Sequence, residues 1–415
     1  MKQFGLIGEK LGHSHSKTLH GFLRNYSYEL WPMPAEALDG FMRKAEFDGI
    51  NVTIPYKQAV IPYLSEMGET ARMVGSVNTM VKRSDGTLYG DNTDVYGMRV
   101  MAKRAGMHFA GQKTLILGSG GTSLTAQAVV RAEGGEAVVI SRSGENNYDN
   151  LENHADAVYL INTTPVGMYP KVDASPVDLR RLPNLRGVLD VIYNPLRTAL
   201  LQQAEKLGIP HEGGLCMLVY QAVRACELFT GETVTREQAV QAEKALRKRV
   251  TNLVLTGMPG CGKSTLGRLL ASELDMPVVD LDAEIEKAAN MTIPAIFEKE
   301  GEAGFREREA EQVLRFASIG GQVLVTGGGA VKRECNRSHL RMNGHVIQIK
   351  RDLDLLPMNG RPLSQSREAL ETMWQERAPL YADCADRIVD NDSTLKCCVQ
   401  RIKEEFDEAL CAQRS

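Results

Sequence analysis

Short apolar runs alternate with amphipathic stretches along the chain, and glycine or proline closes most of the runs. Phe4–Gly8 reads as a strand ending in glycine, and Thr18–Tyr26 as a helix. Gly49–Thr53 is a second strand, stopped by Pro55. Ser84-Asp85-Gly86 turns between two more, Val77–Val81 and Thr87–Gly90. The rhythm continues with strand Lys113–Leu117, glycine turn Gly118–Ser123, helix Thr125–Ala132 and strand Glu136–Ile140, which is a βαβ unit. A helix opens at Thr235, carries Glu237 and Glu243, and ends in Arg247-Lys-Arg249, cations suited to the negative end of a helix dipole. Only Val250–Asn252 separate it from a third series: strand Leu253–Thr256, helix Lys263–Leu274, strand Val278–Asp282 and strand Val323–Thr326. Strands alternating with helices predict an α/β protein. The junction has no Gly/Ser- or Pro-rich linker, so the parts on either side are expected to lie against each other with limited freedom.

The strongest chemical signal lies in the third series. Gly257-Met-Pro-Gly-Cys-Gly-Lys-Ser264 fills every fixed position of G-x-x-x-x-G-K-[ST], between a strand and a helix. Gly257, Gly260 and Gly262 free the backbone to wrap N–H groups around phosphate oxygens, and the helix N-terminus adds partial positive charge. Lys263 is expected to reach the β- and γ-phosphates of ATP, Thr265 to follow on the same turn, and Ser264 to help hold Mg²⁺. Asp280 suits the same ion through water, and Asp282 the role of accepting a hydroxyl proton. Arg306 on a helix, Arg377 in Arg377-Ala-Pro-Leu-Tyr381 near a helix end, and the triple glycine Gly327–Gly329 would together clamp a carboxylate. Gly360-Arg-Pro-Leu363 reads as a polar lid loop.

Gly118, Gly120 and Gly121 give the βαβ turn its dinucleotide character, although Ser123 stands at the third glycine of the fingerprint. The second strand ends in Ser141-Arg142-Ser143, where an acid would serve the ribose hydroxyls of NAD. A cation and two hydroxyls suit the 2′-phosphate of NADP, against the alternative of an ordinary surface arginine. Ser14, Ser16, Thr53, Lys57, Asn78 and Asp94 all follow predicted strands, where α/β domains place their sites. Lys57 with Asp94 is a candidate acid–base pair; as alternatives, Ser14, Ser16 and Asp94 suit helix caps and Lys57 a solvated charge.

A length of 415 residues allows two or three domains, and 43% apolar content is ordinary for a soluble protein. A net charge of −3 gives no general attraction to nucleic acid or anionic membranes. No apolar run approaches a membrane span and the N-terminal segment reads as strand and loop, so a cytoplasmic protein is expected. All eight cysteines follow residue 215 without a C-x-x-C pair, which favours reduced thiols over zinc or a disulfide framework. Cys261, beside Lys263 at a helix N-terminus, is a candidate reactive thiol. Oligomeric state leaves no readable mark.

Over residues 3 to 247 the chain resembles shikimate dehydrogenase. The matching stretches are His13-Ser-His-Ser16, Asn51-Val-Thr-Ile-Pro-Tyr-Lys57, Val77-Asn-Thr79, Gly90-Asp-Asn-Thr-Asp94 and Gly118–Ser123. They continue with Asn162-Thr-Thr-Pro-Val-Gly-Met168, Tyr193-Asn-Pro195 and Gly213-Gly-Leu-Cys-Met-Leu-Val-Tyr-Gln221. The resemblance implies that Ser14, Ser16, Thr53, Asn78, Asp94, Tyr193 and Gln221 hold the substrate and that Lys57 with Asp94 manages its proton. It further implies that Thr122 serves the cofactor with the glycine turn, and that Gly214 approaches the nicotinamide. Departures are Lys17, where the family usually has Pro; Gly21, near which it has Asn or Gln; and Asn146, where it often has a second basic residue.

From about 251 to 412 the chain resembles shikimate kinase, with Asp-x-Asp, Phe-Arg-x-x-Glu, Gly-Gly-Gly, Arg-Pro-Leu and Arg-x-Pro-Leu-Tyr in family order. That resemblance implies that Asp282, Arg306, Gly328, Gly329 and Arg377 bind shikimate, and that Lys263, Ser264 and Arg361 serve ATP and the moving phosphoryl group. The stretch before the lid, Lys350–Asn359, is shorter than usual. Together the resemblances imply an α/β substrate domain (1–96 with 211–249), a Rossmann-like NADP domain (97–210) and a P-loop domain of the nucleoside-monophosphate-kinase type (251–415). The expected chemistry is NADPH-dependent reduction of 3-dehydroshikimate, then MgATP-dependent phosphorylation of shikimate. Two rivals stay open at this point: a quinate-oxidising enzyme fused to a different small-molecule kinase, and a second half that only senses ATP.

Overall fold

The computed structural model describes residues 2–12, 14–356 and 367–411. Its strands form three sheets. The first draws on β1 (Gln3–Gly8), β2 (Ser27–Pro32), β3 (Gly49–Val52), β4 (Glu66–Met67), β5 (Thr79–Lys82) and β6 (Leu88–Asp91), with helices α1 (Ser16–Leu23), α2 (Ala35–Lys44) and α3 (Glu69–Val74) between them. Their order across the sheet is β2-β1-β3-β5-β6-β4, with β5 antiparallel to both its neighbours. Helix α1 stops at Leu23, short of the expected Tyr26, because the chain turns extended at Arg24 and then pairs as β2 with β1. Tyr28 on β2 is thereby buried against Phe4 and Leu6.

Helix α4 (Asp94–Arg104) leads into the second sheet. This comprises β7 (Lys113–Leu117), β8 (Glu136–Ile140), β9 (Tyr159–Asn162), β10 (Gly187–Asp190) and β11 (His211–Gly213), with α5 (Gly121–Ala132) after β7 and α6 (Ala199–Lys206) after β10. All its strands are parallel, in the order β11-β10-β9-β7-β8. Chain order therefore reverses beside β7, and the glycine turn after that strand sits at the switch point where such sheets bind ligands. Both faces of this sheet are covered, which is why Thr114–Leu117 and all of β9 are buried. Helix α7 (Gly214–Thr230) returns to pack on α4, and α8 (Arg236–Val250) follows. A side chain at Gly97 would put its Cβ 2.5 Å from the Met217 carbonyl oxygen, so only glycine lets α4 and α7 approach this closely. Arg104 on α4 makes a bidentate pair with Glu243 on α8, at 2.7 and 2.6 Å, and donates to the Tyr220 hydroxyl on α7. Glu243, a buried carboxylate, thus ties α8 to α4.

The third sheet contains β12 (Asn252–Thr256), β13 (Val278–Asp280), β14 (Val323–Val325), β15 (Gly344–Lys350) and β16 (Arg387–Asp390), all parallel, in the order β13-β14-β12-β15-β16. Around it lie α9 (Lys263–Leu274), α10 (Leu281–Ala289), α11 (Ile293–Ala317), α12 (Glu334–Met342), α13 (Arg367–Cys384) and α14 (Leu395–Cys411). Central strand β12 is buried at all five positions. The strand expected to run to Asp282 ends at Asp280, whose carboxylate accepts the Asp282 amide and caps α10. Asp282 therefore stands on the first turn of a helix. Gly301, at φ 71°, breaks α11 into two segments, and Arg306 lies on the second. Between α8 and β12 only Thr251 is neither helix nor strand. By contacts the chain divides into two compact units, Met1–Tyr193 with Thr198–Leu246, and Asn194–Arg197 with Arg247–Ala412. No helix among the described residues is long and apolar enough to cross a membrane.

Candidate active sites

The ends of β1, β3 and β6 and the turns after them deliver polar side chains to one cavity of about 380 Å³. Its lining includes Ser14, Ser16, Thr53, Lys57, Asn78, Asp94, Tyr193 and Gln221, together with Thr122 on α5 and Gly214 at the start of α7. Lys57 Nζ donates to Asp94 Oδ2 at 2.6 Å. Both groups are partly buried, with side-chain exposures of 25% and 13%, so this is a shielded pair and not a pair of solvated charges. Asp94 opens α4 but makes no capping bond; its own amide donates to Asn92 Oδ1. Ser14 Oγ accepts the Ser16 amide at 3.2 Å, a local turn bond, and neither hydroxyl caps α1.

The residues around the pair explain its precision. Asn78 Oδ1 accepts from the Thr93 amide, the Thr93 hydroxyl and the Thr79 hydroxyl, which leaves its amide nitrogen to face the cavity. Asn51 is committed elsewhere: Tyr28 donates to its Oδ1 at 2.7 Å, and its Nδ2 donates to Thr79 Oγ1. Asp91 accepts the Ala71 and Asn92 amides and the Thr70 hydroxyl, fixing the Asp91–Asp94 turn to α3. Asn51, Tyr28, Thr93 and Asp91 were not singled out by sequence for this work. The available signal was a buried asparagine within an apolar strand, which requires partners. His15, also in the lining, packs edge-on against Tyr193 with ring centroids 5.9 Å apart. Burial pushes the Tyr193 phenol up from its ordinary pKa.

The cofactor residues divide between this cavity and the rim of the second sheet. Gly118 has φ 100°, and a side chain there would press on Thr164 and Thr163. Gly120 and Gly121 are exposed, with open space where a Cβ would stand, and Gly121 begins α5. That gives an unobstructed helix N-terminus of the kind that receives phosphates. Ser123 is fully buried and accepts from Gln127, so the third fingerprint position serves packing. Ser141 and Arg142 follow β8; Arg142 is exposed and, among the described residues, has no ion-pair partner. Asn146 accepts the Ser141 amide through its carbonyl, and its side chain bonds to His154. Gly214 fits against the carbonyl of Val191, 2.0 Å from where its Cβ would be.

The second site gathers at the ends of β12, β13 and β14. Gly257, Gly260 and Gly262 hold φ values of 141°, 85° and 101°, which side chains resist. Lys263 is buried and donates to the carbonyls of Gly257 and Met258 at 2.9 and 3.0 Å, closing the loop on itself. Ser264, followed by Thr265 on α9, donates to Asp280 Oδ2 at 2.9 Å, so the two expected metal-binding groups meet. Asn391 donates to the Cys261 carbonyl and braces the loop from outside the motif. Cys261 is itself buried, with 1% exposure, which removes the access a reactive thiol needs.

The triple glycine is a seat for two charged side chains. A Cβ at Gly327 would lie 2.5 Å from Asp282 Oδ1, and one at Gly329 would lie 2.5 Å from the Arg306 guanidinium. Burial and then the neighbouring Asp280 push the Asp282 carboxyl up, against Lys263 and Arg306. Arg306 pairs with Glu309 at 2.8 Å, and burial raises the Glu309 carboxyl while Arg306 opposes that rise. Arg377 and Tyr381 both donate to the Gly328 carbonyl, at 3.0 and 2.6 Å. Arg377 Nε is buried without a partner among the described residues. An unsatisfied buried guanidinium donor invites an acceptor, and a carboxylate meets it best. Arg361 lies outside the described residues.

Two family models match the chain: shikimate dehydrogenase substrate binding domain over residues 6–80, and shikimate kinase over 259–407. The shikimate dehydrogenase (NADP(+)) of Clostridium perfringens is 34% identical over 271 residues, spanning 60% of this chain and all of that protein. Among solved structures, a chorismate mutase/shikimate 5-dehydrogenase fusion protein from Clostridium acetobutylicum is similar at 32% identity and a TM-score of 0.56, covering 60% of this chain and 98% of that one. Shikimate 5-dehydrogenase from Thermus thermophilus, in complex with NADP(H) and shikimate, is similar at 30% identity and a TM-score of 0.53, covering 59% of this chain and all of that one.

Proposed function

The chain belongs to the shikimate dehydrogenase family and continues into a shikimate kinase domain, and from that premise we propose which of its residues perform each reaction. It is a bifunctional enzyme of the shikimate pathway: NADP-dependent reduction of 3-dehydroshikimate to shikimate, then ATP-dependent phosphorylation of shikimate to shikimate 3-phosphate. The proposed domains are 1–96 with 211–249 for the first substrate, 97–210 for NADP and 251–415 for the kinase.

In the dehydrogenase, NADPH supplies the hydride. Gly118, Gly120, Gly121 and Thr122 would hold its pyrophosphate, Ser141 and Arg142 its 2′-phosphate, and the backbone at Gly214 would lie along its nicotinamide. Ser14, Ser16, Thr53, Asn78, Tyr193 and Gln221 bind the substrate. Lys57 gives a proton to the ketone oxygen and takes it back in reverse. Asp94, 2.6 Å away, orients the ammonium and helps hold the substrate. This shielded Lys57–Asp94 pair, inside a cavity lined from both sheets, is the observation that carries the reading.

In the kinase, Arg306 and Arg377 take the shikimate carboxylate, with the Gly328–Gly329 backbone beside them. Asp282, its carboxyl raised by burial, accepts the proton of the attacking hydroxyl. The loop from Gly257 to Thr265 would receive ATP, Ser264 and Asp280 would hold Mg²⁺, and Lys263 would serve the phosphates. Arg361 would neutralise the moving phosphoryl group. Positioning and charge neutralisation supply most of the rate. Eight free thiols fit a reducing, cytoplasmic setting.

The test supplies 3-dehydroshikimate and NADPH with or without MgATP and identifies products. Shikimate without ATP and shikimate 3-phosphate with it are expected. Quinate oxidation with NAD in preference to these reactions would overturn the assignment.

A further inference from the structure

The motif Asn162-Thr163-Thr164 and the carboxylate of Asp190 take no part in the chemistry above, yet they form a hydrogen-bonded polar cluster at the ends of β9 and β10. Asp190, Asn162 and Thr198 are each completely buried, at 0% exposure. Asp190 ends β10 next to Asn162 of β9, its register partner. Its Oδ1 accepts from Asn162 Nδ2 at 3.0 Å and from the Ile192 amide at 3.1 Å, and its Oδ2 accepts from the Thr198 hydroxyl at 2.7 Å.

Two of the three arms lead to a part of the dehydrogenase site. Asn162 Oδ1 accepts the amide and hydroxyl of Thr164 at 3.0 and 2.7 Å, and Thr164 is the nearest neighbour that a Cβ at Gly118 would strike. That arm ends at the cofactor turn. The Ile192 amide fixes the bend between Val191 and Tyr193, both of which line the cavity. The same bend accepts the Gly214 amide through the Ile192 carbonyl at 3.0 Å. The third arm, Thr198, caps α6 by accepting the Leu201 amide. A single carboxylate therefore sets the position of the cofactor turn relative to the substrate wall.

We propose that Asp190 is a positioning residue of the dehydrogenase, which through Asn162 and the Ile192 amide fixes the nicotinamide-side wall Val191–Tyr193 against the Gly118 turn. It touches neither substrate nor cofactor. The proposal rests on the reading of this cavity as the 3-dehydroshikimate and NADPH site. Burial, opposed by its three hydrogen bonds, pushes the Asp190 carboxyl up to about 7. An asparagine can keep the two bonds to Oδ1 and donate its amide to Thr198 Oγ1. Alanine leaves three buried donors without an acceptor.

The experiment compares Asp190→Asn and Asp190→Ala in the full chain, with folding checked by circular dichroism and thermal unfolding. Asp190→Ala should lower dehydrogenase kcat about 30-fold or more, as misplacement of reacting groups does, and raise the KM for 3-dehydroshikimate. Its Kd for NADPH, set by phosphate contacts at the glycine turn and Arg142, should change less than about 3-fold, against the tenfold that 1.4 kcal/mol would give. Asp190→Asn should recover most of the lost kcat. If Asp190→Ala does not fold, the near-isosteric Thr198→Val should lower kcat several-fold while Thr198→Ser restores it. A folded Asp190→Ala with the parent kcat and KM, an Asp190→Asn as impaired as Asp190→Ala, or a Thr198→Val equal to the parent would each overturn the proposal. A parent chain that does not reduce 3-dehydroshikimate would instead fail the reading of the site.

Discussion

At the scale of single residues, the proposed acid–base group of the dehydrogenase is fixed by a partner. Lys57 reaches Asp94 at 2.6 Å, and the Asp94 backbone N–H in turn donates to Asn92 Oδ1. Lys57→Ala should cost dehydrogenase kcat about 10²-fold or more, the scale of general acid–base catalysis. NADPH oxidation at saturating substrate measures this, and a near-parental kcat would remove Lys57 from the mechanism. Shikimate phosphorylation by the same variant should be unchanged. Arg142 offers a cleaner deletion, because it is exposed and unpaired among the described residues, so its loss strands no partner. A charge-assisted bond of about 1.5–3 kcal/mol corresponds to roughly 10- to 100-fold in affinity. Arg142→Ala should therefore raise the KM for NADPH by about that factor and barely move the KM for NADH; equal losses with both would contradict the 2′-phosphate role. The groups proposed for the chemistry were legible as candidates in the sequence because their types and positions after strands carry meaning. Their supports were not. Asn51 answers to Tyr28 and Thr79, and Asn78 to Thr93, through bonds that exist only once separate strands lie side by side.

At the scale of elements, the kinase site depends on what glycine leaves out. The turn after β14 lets Asp282 from α10 and Arg306 from α11 settle directly on the backbone at Gly327 and Gly329. Gly329→Ala would push a Cβ into the Arg306 guanidinium, which cannot move freely because Glu309, itself buried, holds it. Overpacking of this kind costs about 1–3 kcal/mol, so the shikimate KM should rise about 10-fold while the KM for ATP stays within a few-fold. A fall in ATP affinity instead would mean that the glycines serve the nucleotide. Arg377 tests the carboxylate clamp better than Arg306, since removing Arg306 would leave Glu309 buried and unpaired. Arg377→Ala should weaken shikimate binding by about 10-fold or more, measured by titration in the absence of ATP. Unchanged shikimate affinity would move the carboxylate elsewhere. Long elements with one strong signal were readable: helix Lys263–Leu274 and strands Lys113–Leu117 and Glu136–Ile140 stand where the sequence puts them. The misreadings occur where tertiary pairing overrides local preference. Strand β2 claims the chain soon after Leu23, and the Asp280 cap converts the end of a supposed strand into a helix start.

At the scale of the whole molecule, two consecutive reactions on one chain predict coupling through the shared product, with no need for a shared catalytic residue. Each proposed site draws its groups from the connections of its own sheet: Lys57 follows β3 and Asp94 opens α4 after β6, whereas Lys263 opens α9 after β12 and Asp282 lies on α10 after β13. Without ATP, oxidation of NADPH by excess 3-dehydroshikimate should slow and stop at the equilibrium of the reduction. Adding MgATP removes shikimate, so a second phase of NADPH oxidation should follow. Lys263→Ala should abolish that second phase and leave the first intact. Among the described residues, the side chain it removes donates to carbonyls of its own loop, at Gly257 and Met258, with a longer contact to the Cys261 sulfur. The absorbance of NADPH reports both phases in one cuvette, and free shikimate kinase added afterwards should restore the second. If Lys263→Ala stayed folded yet lost the first phase as well, hydride transfer would depend on the phosphate loop, and independence of the two sites would have to be abandoned.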